Sequence, residues 1–228
     1  MAGRFSSMRF IVNPSAGSRR GDVAAMIREV MNGMGVAVEI IRTEYQGQGT
    51  ELAREATDEG IECVVAVGGD GTANEVGRGL LEAQTALGLV PFGSGNGLAR
   101  SLGIPLNPVK ACKSLLQADV RPMDAGRIGE AVFFSTAGVG LDAEVSWRYN
   151  RRLEGRRGFL PYVVLTVDAF RTYEREEVRV TPEKGAELRV RPLILTVANT
   201  PQYGNGAIIA PQARPDDGVL DLCIIEGI

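Results

Sequence analysis

The stretch Val64–Val76, VVAVGGDGTANEV, decides how the rest of the chain is read. Its first residues form a continuous apolar run rather than an alternating one, as strands buried on both faces do. Gly68-Gly69-Asp70-Gly71-Thr72 follows, and a helical pattern, TANEVGRGLLEA (72–83), begins at once. Glycines let the backbone turn tightly and let a phosphate reach the amides with no Cβ in the way. The first turn of a helix adds free N–H groups and the positive end of a dipole. Thr72 and Glu75 have the T-x-x-E spacing of a capping box, which predicts a helix start at Thr72. An aspartate in such a loop repels phosphate unless a cation lies between them. Asp70 therefore points to Mg2+ or to a role toward an attacking hydroxyl. The plainer alternative is a strand-to-helix turn with a solvated aspartate.

Outward from this stretch, the first half alternates strand and helix patterns. MRFIVN (8–13), VAVEIIR (36–42) and LGLVPF (87–92) read as strands. Residues 21–35 place Val23, Met26, Ile27, Val30 and Met34 at helical spacing, stopped by Gly35. A helical stretch from Gly49 ends at Gly60, and two short helices follow the fourth strand, in GLARSLG and at 107–117. This order predicts an α/β fold: a parallel sheet with helices on both faces, in three layers.

After Ala118 the character changes. RPMDAGRI, AVFFSTAGVG, a hairpin around EKG (183–185), the strand that follows it and VLDLCII (219–225) read as strands, with helical patterns over 139–150 and 158–172. The expected organisation is an α/β nucleotide-binding domain over 1–120 and a mostly β, sandwich-like domain over 121–228.

Composition narrows the chemistry. The chain has 228 residues, a net charge of −3 and no histidine. That removes Ser-His-Asp hydrolysis and histidine bases or metal ligands. With a pI near 5.3, no nucleic-acid partner is expected. Three distant cysteines, Cys63, Cys112 and Cys223, suggest neither disulfides nor zinc and suit a reducing cytoplasm. No apolar stretch reaches spanning length, so no transmembrane segment is expected.

Two further loops resemble the first. VPFGSGNGLAR (90–100) sets Gly93, Gly95 and Gly97 between a strand and a helix, with Ser94 and Asn96 as hydrogen-bonding groups. IVNPSAGSRR (11–20) follows the first strand, and Asn13, Ser15 and Gly17 are candidate nucleotide contacts. Arg19 and Arg20 read equally well as phosphate contacts or solvated residues. The first two loops make a two-sided cradle at the carboxyl edge of the sheet, where open α/β sheets bind ligands.

NPSAG, GGDGT with ANEV, and PFGSGNGLAR, in this order and spacing, resemble the diacylglycerol-kinase catalytic-domain family, which includes bacterial soluble lipid kinases and sphingosine and ceramide kinases and is distantly related to NAD kinases. FFSTAGVGLDAEV (133–145) and ANTPQYGNGAIIAPQARPDDGVLDLCII (198–225) are similar to its second domain, so the resemblance covers essentially the whole chain. It implies an ATP-dependent lipid kinase acting on diacylglycerol or a related lipid, a sphingoid base included, with ATP and Mg2+ as cofactors. It implies ATP contacts at Asn13, Pro14, Ser15, Gly17, Thr43, Gly68, Gly69, Asp70, Gly71, Thr72, Asn74, Gly93, Ser94, Gly95 and Asn96. Asp70 is the implied catalytic residue and Asp142 the residue near the lipid head group, against the plainer reading of Asp142 as a helix N-terminal aspartate. The PDDG turn is implied to hold magnesium on Asp217 and the carbonyls of Arg214 and Val219; an ordinary β-turn is the alternative.

Two departures accompany the resemblance. GSGNG stands where many relatives have GTGND, which brings the chain nearer the sphingosine kinases and leaves the lipid open. The chain also stops at Ile228 without the DGE-like motif that carries the family's general base, so a truncated chain is expected. A soluble-substrate kinase of the NAD kinase kind and a catalytically weak ATP- or lipid-binding module stay open as alternatives. Gly138-x-Gly140-x-x-Ala143 fits a dinucleotide fingerprint but lacks the following βαβ unit and is read as coincidence. RRLEGRRG (151–158) reads as a solvated linker or a contact to anionic lipid heads. The expected setting is cytoplasmic, with peripheral membrane contact through the lipid substrate, and a homodimer is compatible with it.

Overall fold

A computed structural model describes residues 4–17, 21–141, 143–145, 168–183 and 185–227. The first four strands, β1 (Ser7–Val12), β2 (Ala37–Arg42), β3 (Cys63–Gly68) and β4 (Ala86–Pro91), form one parallel sheet in the order β2-β1-β3-β4. The order reverses between β1 and β3, which opens a crevice at their carboxyl ends.

Helices cover both faces. Alternate residues of each strand divide the core in two, because successive side chains of a strand point to opposite sides. Phe10 and Val12 of β1 with Cys63, Val65 and Val67 of β3 pack under α1 (Val23–Met31) and α5 (Pro108–Leu115). Ile11, Val64 and Ala66 pack under α2 (Gln48–Asp58), α3 (Asp70–Gly79) and α4 (Gly97–Ser101). All six residues of β3 are buried, as its unbroken apolar run predicts. Of the five apolar positions picked out in 21–35, Ile27 and Val30 are buried and Met34 is exposed beyond the end of α1.

The second half is antiparallel. β7 (Thr136–Gly140), β10 (Ile194–Ala198) and β13 (Asp221–Ile225) make a sheet in the order β13-β10-β7. Three two-stranded pairs accompany it: β5 (Gly126–Ile128) with β6 (Ala131–Phe133), β8 (Val178–Val180) with β9 (Leu188–Val190), and β11 (Gln202–Gly204) with β12 (Ala207–Ile208). The β8–β9 pair is the hairpin expected around residues 183–185. Gly138 and Gly140 lie inside β7, paired to β10, so the GxGxxA spacing there marks a strand and no phosphate turn.

The two halves are joined through α3. Asn74 donates its side-chain amide to the Val132 carbonyl at 2.9 Å. Phe134 sets its ring over Gly77, where a built Cβ would stand 2.6 Å from it. Asn199, fully buried on the second half, donates to the carbonyls of Asp124 and Phe134.

Among the described residues, no helix is long and apolar enough to cross a membrane. Asp142, Arg19, Arg20 and residues 151–158 lie outside the described residues, as do most of the two helical stretches expected over 139–150 and 158–172; residues 168–172 are helical.

Candidate active site

Three loops converge at the carboxyl edge of the parallel sheet, each the continuation of one strand. Residues 13–17 follow β1, residues 68–72 follow β3 and residues 92–97 follow β4. β1 and β4 both flank β3, so the strand order alone makes the three loops neighbours.

The β3 turn is compact. Gly68 has no room for a side chain: a built Cβ would stand 2.3 Å from the Thr72 hydroxyl oxygen. Helix α3 starts at Asp70 with Gly69 as N-cap, and no side chain caps it. The capping box expected from Thr72 and Glu75 is therefore absent. Thr72 sits in the first turn rather than before it, and its hydroxyl accepts from the Asn13 side-chain amide at 3.1 Å. The Glu75 carbonyl is taken by the Thr50 hydroxyl of α2. An uncapped first turn leaves backbone donors without intrahelical partners. Gly71 opens that turn to solvent, since a Cβ built there meets nothing within 4 Å.

The β4 loop lies against this turn, backbone to backbone. A Cβ on Gly93 would stand 2.6 Å from the Gly69 Cα. Asp70 ties the two together: its Oδ1 accepts from the Leu98 backbone N–H at 3.0 Å. Its Oδ2 lies beside Gly95, 3.3 Å from a built Cβ. Asn96 adopts a left-handed conformation with φ 49°, and donates to the Gly93 carbonyl at 2.7 Å. The Asn96 Oδ1 is buried with no hydrogen-bond partner. Ser94 is exposed at the loop tip.

The β1 loop completes the edge. Asn13 holds its own turn by accepting the Ser15 N–H on Oδ1 at 2.9 Å. Gly17 (φ 74°) packs on the Phe92 carbonyl, 2.3 Å from a built Cβ. Pro14 and Ser15 are exposed beside them. Thr43, at the end of β2, donates its N–H to the Val12 carbonyl and stands one strand further out. Asn74 alone of the implied nucleotide contacts has its side chain turned to the second half of the chain.

These residues fit a nucleotide polyphosphate. An anion can approach the open first turn of α3, and the glycine seam brings two sets of amides within reach of one ligand. Between the seam and the sheet only about 10 Å³ is enclosed, too little for a nucleotide, so a ligand at this edge would have to lie over the loops. A wider groove of about 560 Å³ lies at the opposite, amino edge, lined by Arg4, Phe5, Gln84, Thr85 and Val120 among others.

The PDDG turn is separate. Asp217 Oδ1 accepts from the Val219 N–H at 3.1 Å, and Arg214 pairs with Asp216 rather than Asp217. Asp124, which sequence reasoning missed, braces the turn: its carboxylate accepts the Gly218 N–H at 2.7 Å and its N–H donates to the Pro215 carbonyl at 2.7 Å. Asp124 is 94 positions away, and no local spacing connects it to the turn. Among the described residues no three acidic, cysteine or histidine side chains gather as a metal cage. The Asp217 carboxylate and the main-chain carbonyls of the turn are hard-oxygen donors, of the kind Mg2+ takes.

The diacylglycerol kinase catalytic domain family matches residues 7–128, and the YegS C-terminal NAD kinase beta sandwich-like domain matches residues 135–228. A protein of Chromohalobacter salexigens named "Probable lipid kinase YegS-like" is 34% identical over 209 residues, 90% of this chain and 66% of that protein. The chain thus spans just under two thirds of that relative's length. A protein of Bacillus subtilis named "Diacylglycerol kinase" is 29% identical over 96% of this chain and 73% of its own length. The crystal structure of a diacylglycerol kinase from Bacillus anthracis superimposes with a TM-score of 0.75, over 98% of this chain and 76% of that one. At 24% identity that likeness bears on the fold alone.

Proposed function

Because the chain belongs to the diacylglycerol kinase catalytic-domain family, we propose that it transfers the γ-phosphoryl group of ATP to a hydroxyl of diacylglycerol or a related lipid, a sphingoid base among them. The observation that carries this reading is the meeting of three loops from adjacent parallel strands at one sheet edge, with the first turn of α3 uncapped and open at Gly71.

Asn13, Pro14, Ser15, Gly17 and Thr43 line the nucleotide on one side, and Gly93, Ser94, Gly95 and Asn96 on the other. Gly68, Gly69, Gly71 and Thr72 present the backbone amides that hold phosphate oxygens. Asn74 keeps α3 in place through Val132. Asp70 fixes the two glycine turns with one oxygen and offers the other to a divalent cation. When bound, ATP supplies the phosphoryl group and Mg2+ offsets its charge. A second magnesium ion on Asp217 and the carbonyls of Arg214 and Val219 would stiffen the PDDG turn, with Asp124 behind it. Asp142 is assigned to the lipid head group on the family resemblance alone. Rate enhancement then comes mainly from positioning and fixed dipoles. The chain would work in the cytoplasm, meeting its substrate at a membrane surface.

The test is incubation with γ-labelled ATP and Mg2+ alongside three acceptors: diacylglycerol in mixed micelles, sphingosine in mixed micelles, and NAD. Label in a lipid product is expected. Label in NAD alone would overturn the lipid acceptor, and nucleotide binding without transfer to any acceptor would reduce the chain to a binding module.

A further inference from the structure

The loop over 93–97 is gripped on both sides. On one side is the β3 turn; on the other is the β11–β12 hairpin of the second half. Asn96 and Gly204 form an isolated antiparallel bridge, and the Asn205 N–H donates to the Gly95 carbonyl at 3.3 Å. The Gly95 carbonyl also accepts from Arg100 Nε at 3.0 Å, so the same oxygen ties the loop to α4 and to the hairpin.

The fit leaves no room for side chains. A Cβ on Gly97 would stand 2.5 Å from the Tyr203 carbonyl oxygen, and one on Gly204 would stand 3.1 Å from the Gly95 Cα. Gly204 has φ 137°, in the region that L side chains rarely adopt. The hairpin is itself anchored to the antiparallel sheet, because the Tyr203 hydroxyl bonds to the Thr196 hydroxyl on β10. Asn96, held left-handed at this junction, has a buried side-chain oxygen without a hydrogen-bond partner, and so does Gln202 on the hairpin. A loop of four small residues and one asparagine has little means of holding a single conformation by itself. Contacts from both halves of the chain supply that restraint.

We propose that residues 202–205 of the hairpin are a positioning element for the nucleotide loop, with Gly204 as the residue that sets the spacing. Through Gly204 and Asn205 the second half of the chain fixes where the Gly93–Asn96 amides stand relative to those of the β3 turn. Occupancy of the nucleotide loop and order in the hairpin are therefore coupled. This rests on the nucleotide reading above.

Gly204→Ala and Gly206→Ala form the test pair. Gly206 lies in the same hairpin at φ 80°, but a Cβ there meets nothing within 4 Å. Both substitutions strain the backbone; only the first presses on Gly95. Calorimetric titration with Mg·ATP is expected to show affinity on the order of tenfold weaker for Gly204→Ala, and within about twofold of wild type for Gly206→Ala. Melting temperatures should fall in both. Equal affinities in the two variants and wild type would overturn the proposal while leaving the nucleotide reading standing. A wild-type protein that binds no nucleotide would overturn both. If Gly204→Ala does not fold, hydrogen exchange on wild type decides: Mg·ATP is expected to slow exchange at 93–98 and 202–206 together. Slowing at 93–98 with 202–206 unchanged would refute the coupling.

Discussion

Asp70 accepts the backbone N–H of Leu98 on Oδ1 at 3.0 Å, so one carboxylate spans the first turns of α3 and α4. The two residues are 28 positions apart and follow adjacent strands. The bond gives Asp70 a role in geometry that is separable from the role of charge proposed for it.

Asp70→Asn keeps an oxygen that can accept from Leu98 but removes the negative charge. The expected result is a melting temperature close to wild type, with phosphoryl transfer lower by about 100-fold or more. Asp70→Ala loses both roles and should add a stability loss of about 1–3 kcal/mol for the orphaned amide. Thermal melts and steady-state kinetics on the two variants separate the roles.

Arg9 is a charged side chain in the core, 3% exposed. Its guanidinium bonds to Glu39 and Glu59, whose side chains are about half exposed, and donates to the Leu52 carbonyl. Either glutamate alone can balance it. Glu39→Gln and Glu59→Gln should each cost about 1 kcal/mol or less. The double variant leaves a buried cation without a carboxylate and should cost about 3–5 kcal/mol, well beyond the sum. Urea denaturation of the four proteins measures this.

Burial in β3 pushes the Cys63 thiol up to about 12 from 9.0, and burial in α5 pushes Cys112 up to about 11. The native state holds both protonated after the unfolded chain has begun to ionise them. Their contribution to stability is thus complete below pH 9 and is lost as pH rises from 9 toward 11–12. Each thiol contributes a slope of about 1.4 kcal/mol per pH unit in that window. Cys63→Ala should have a shallower alkaline stability loss than wild type, whatever its stability at pH 7. Both thiols should also resist alkylation until the chain unfolds.

The magnesium site proposed at the PDDG turn predicts a ligand-linked stability. Adding Mg2+ should raise the wild-type melting temperature, and Asp217→Asn should abolish the increase. Asp124→Asn should weaken it by roughly 10- to 100-fold in metal affinity, because Asp124 orients the turn through Gly218. Calorimetric scans with Mg2+ and with chelator provide the readout.

Much of this architecture is legible along the chain because it is local. The apolar run of β3 and the glycine turn after it announce a buried parallel strand leading into a helix, and the structure has both. The exact helix start was not legible. Thr72 and Glu75 have the capping-box spacing, but Gly68 folds so tightly over Thr72 that the helix begins two residues earlier and the Thr72 hydroxyl goes to Asn13. Pairings across long separations left no trace in the sequence. Asp124 against Gly218, Asn74 against Val132 and Gly204 against Gly95 depend on how the two halves fold together. No periodicity reports a contact between residues that stand 58 or 94 positions apart.

The central claim is that the loops at 13–17, 68–72 and 93–97 hold one polyphosphate. Amide chemical shifts of the labelled protein, followed through a titration with Mg·ATP, test it most directly. Shifts centred on Gly68–Thr72 and Gly93–Gly97, joined by Asn13–Gly17 at the same ligand concentration, are the expected result. Shifts centred instead on Arg4, Gln84 and Thr85, in the groove at the other end of the sheet, would contradict it.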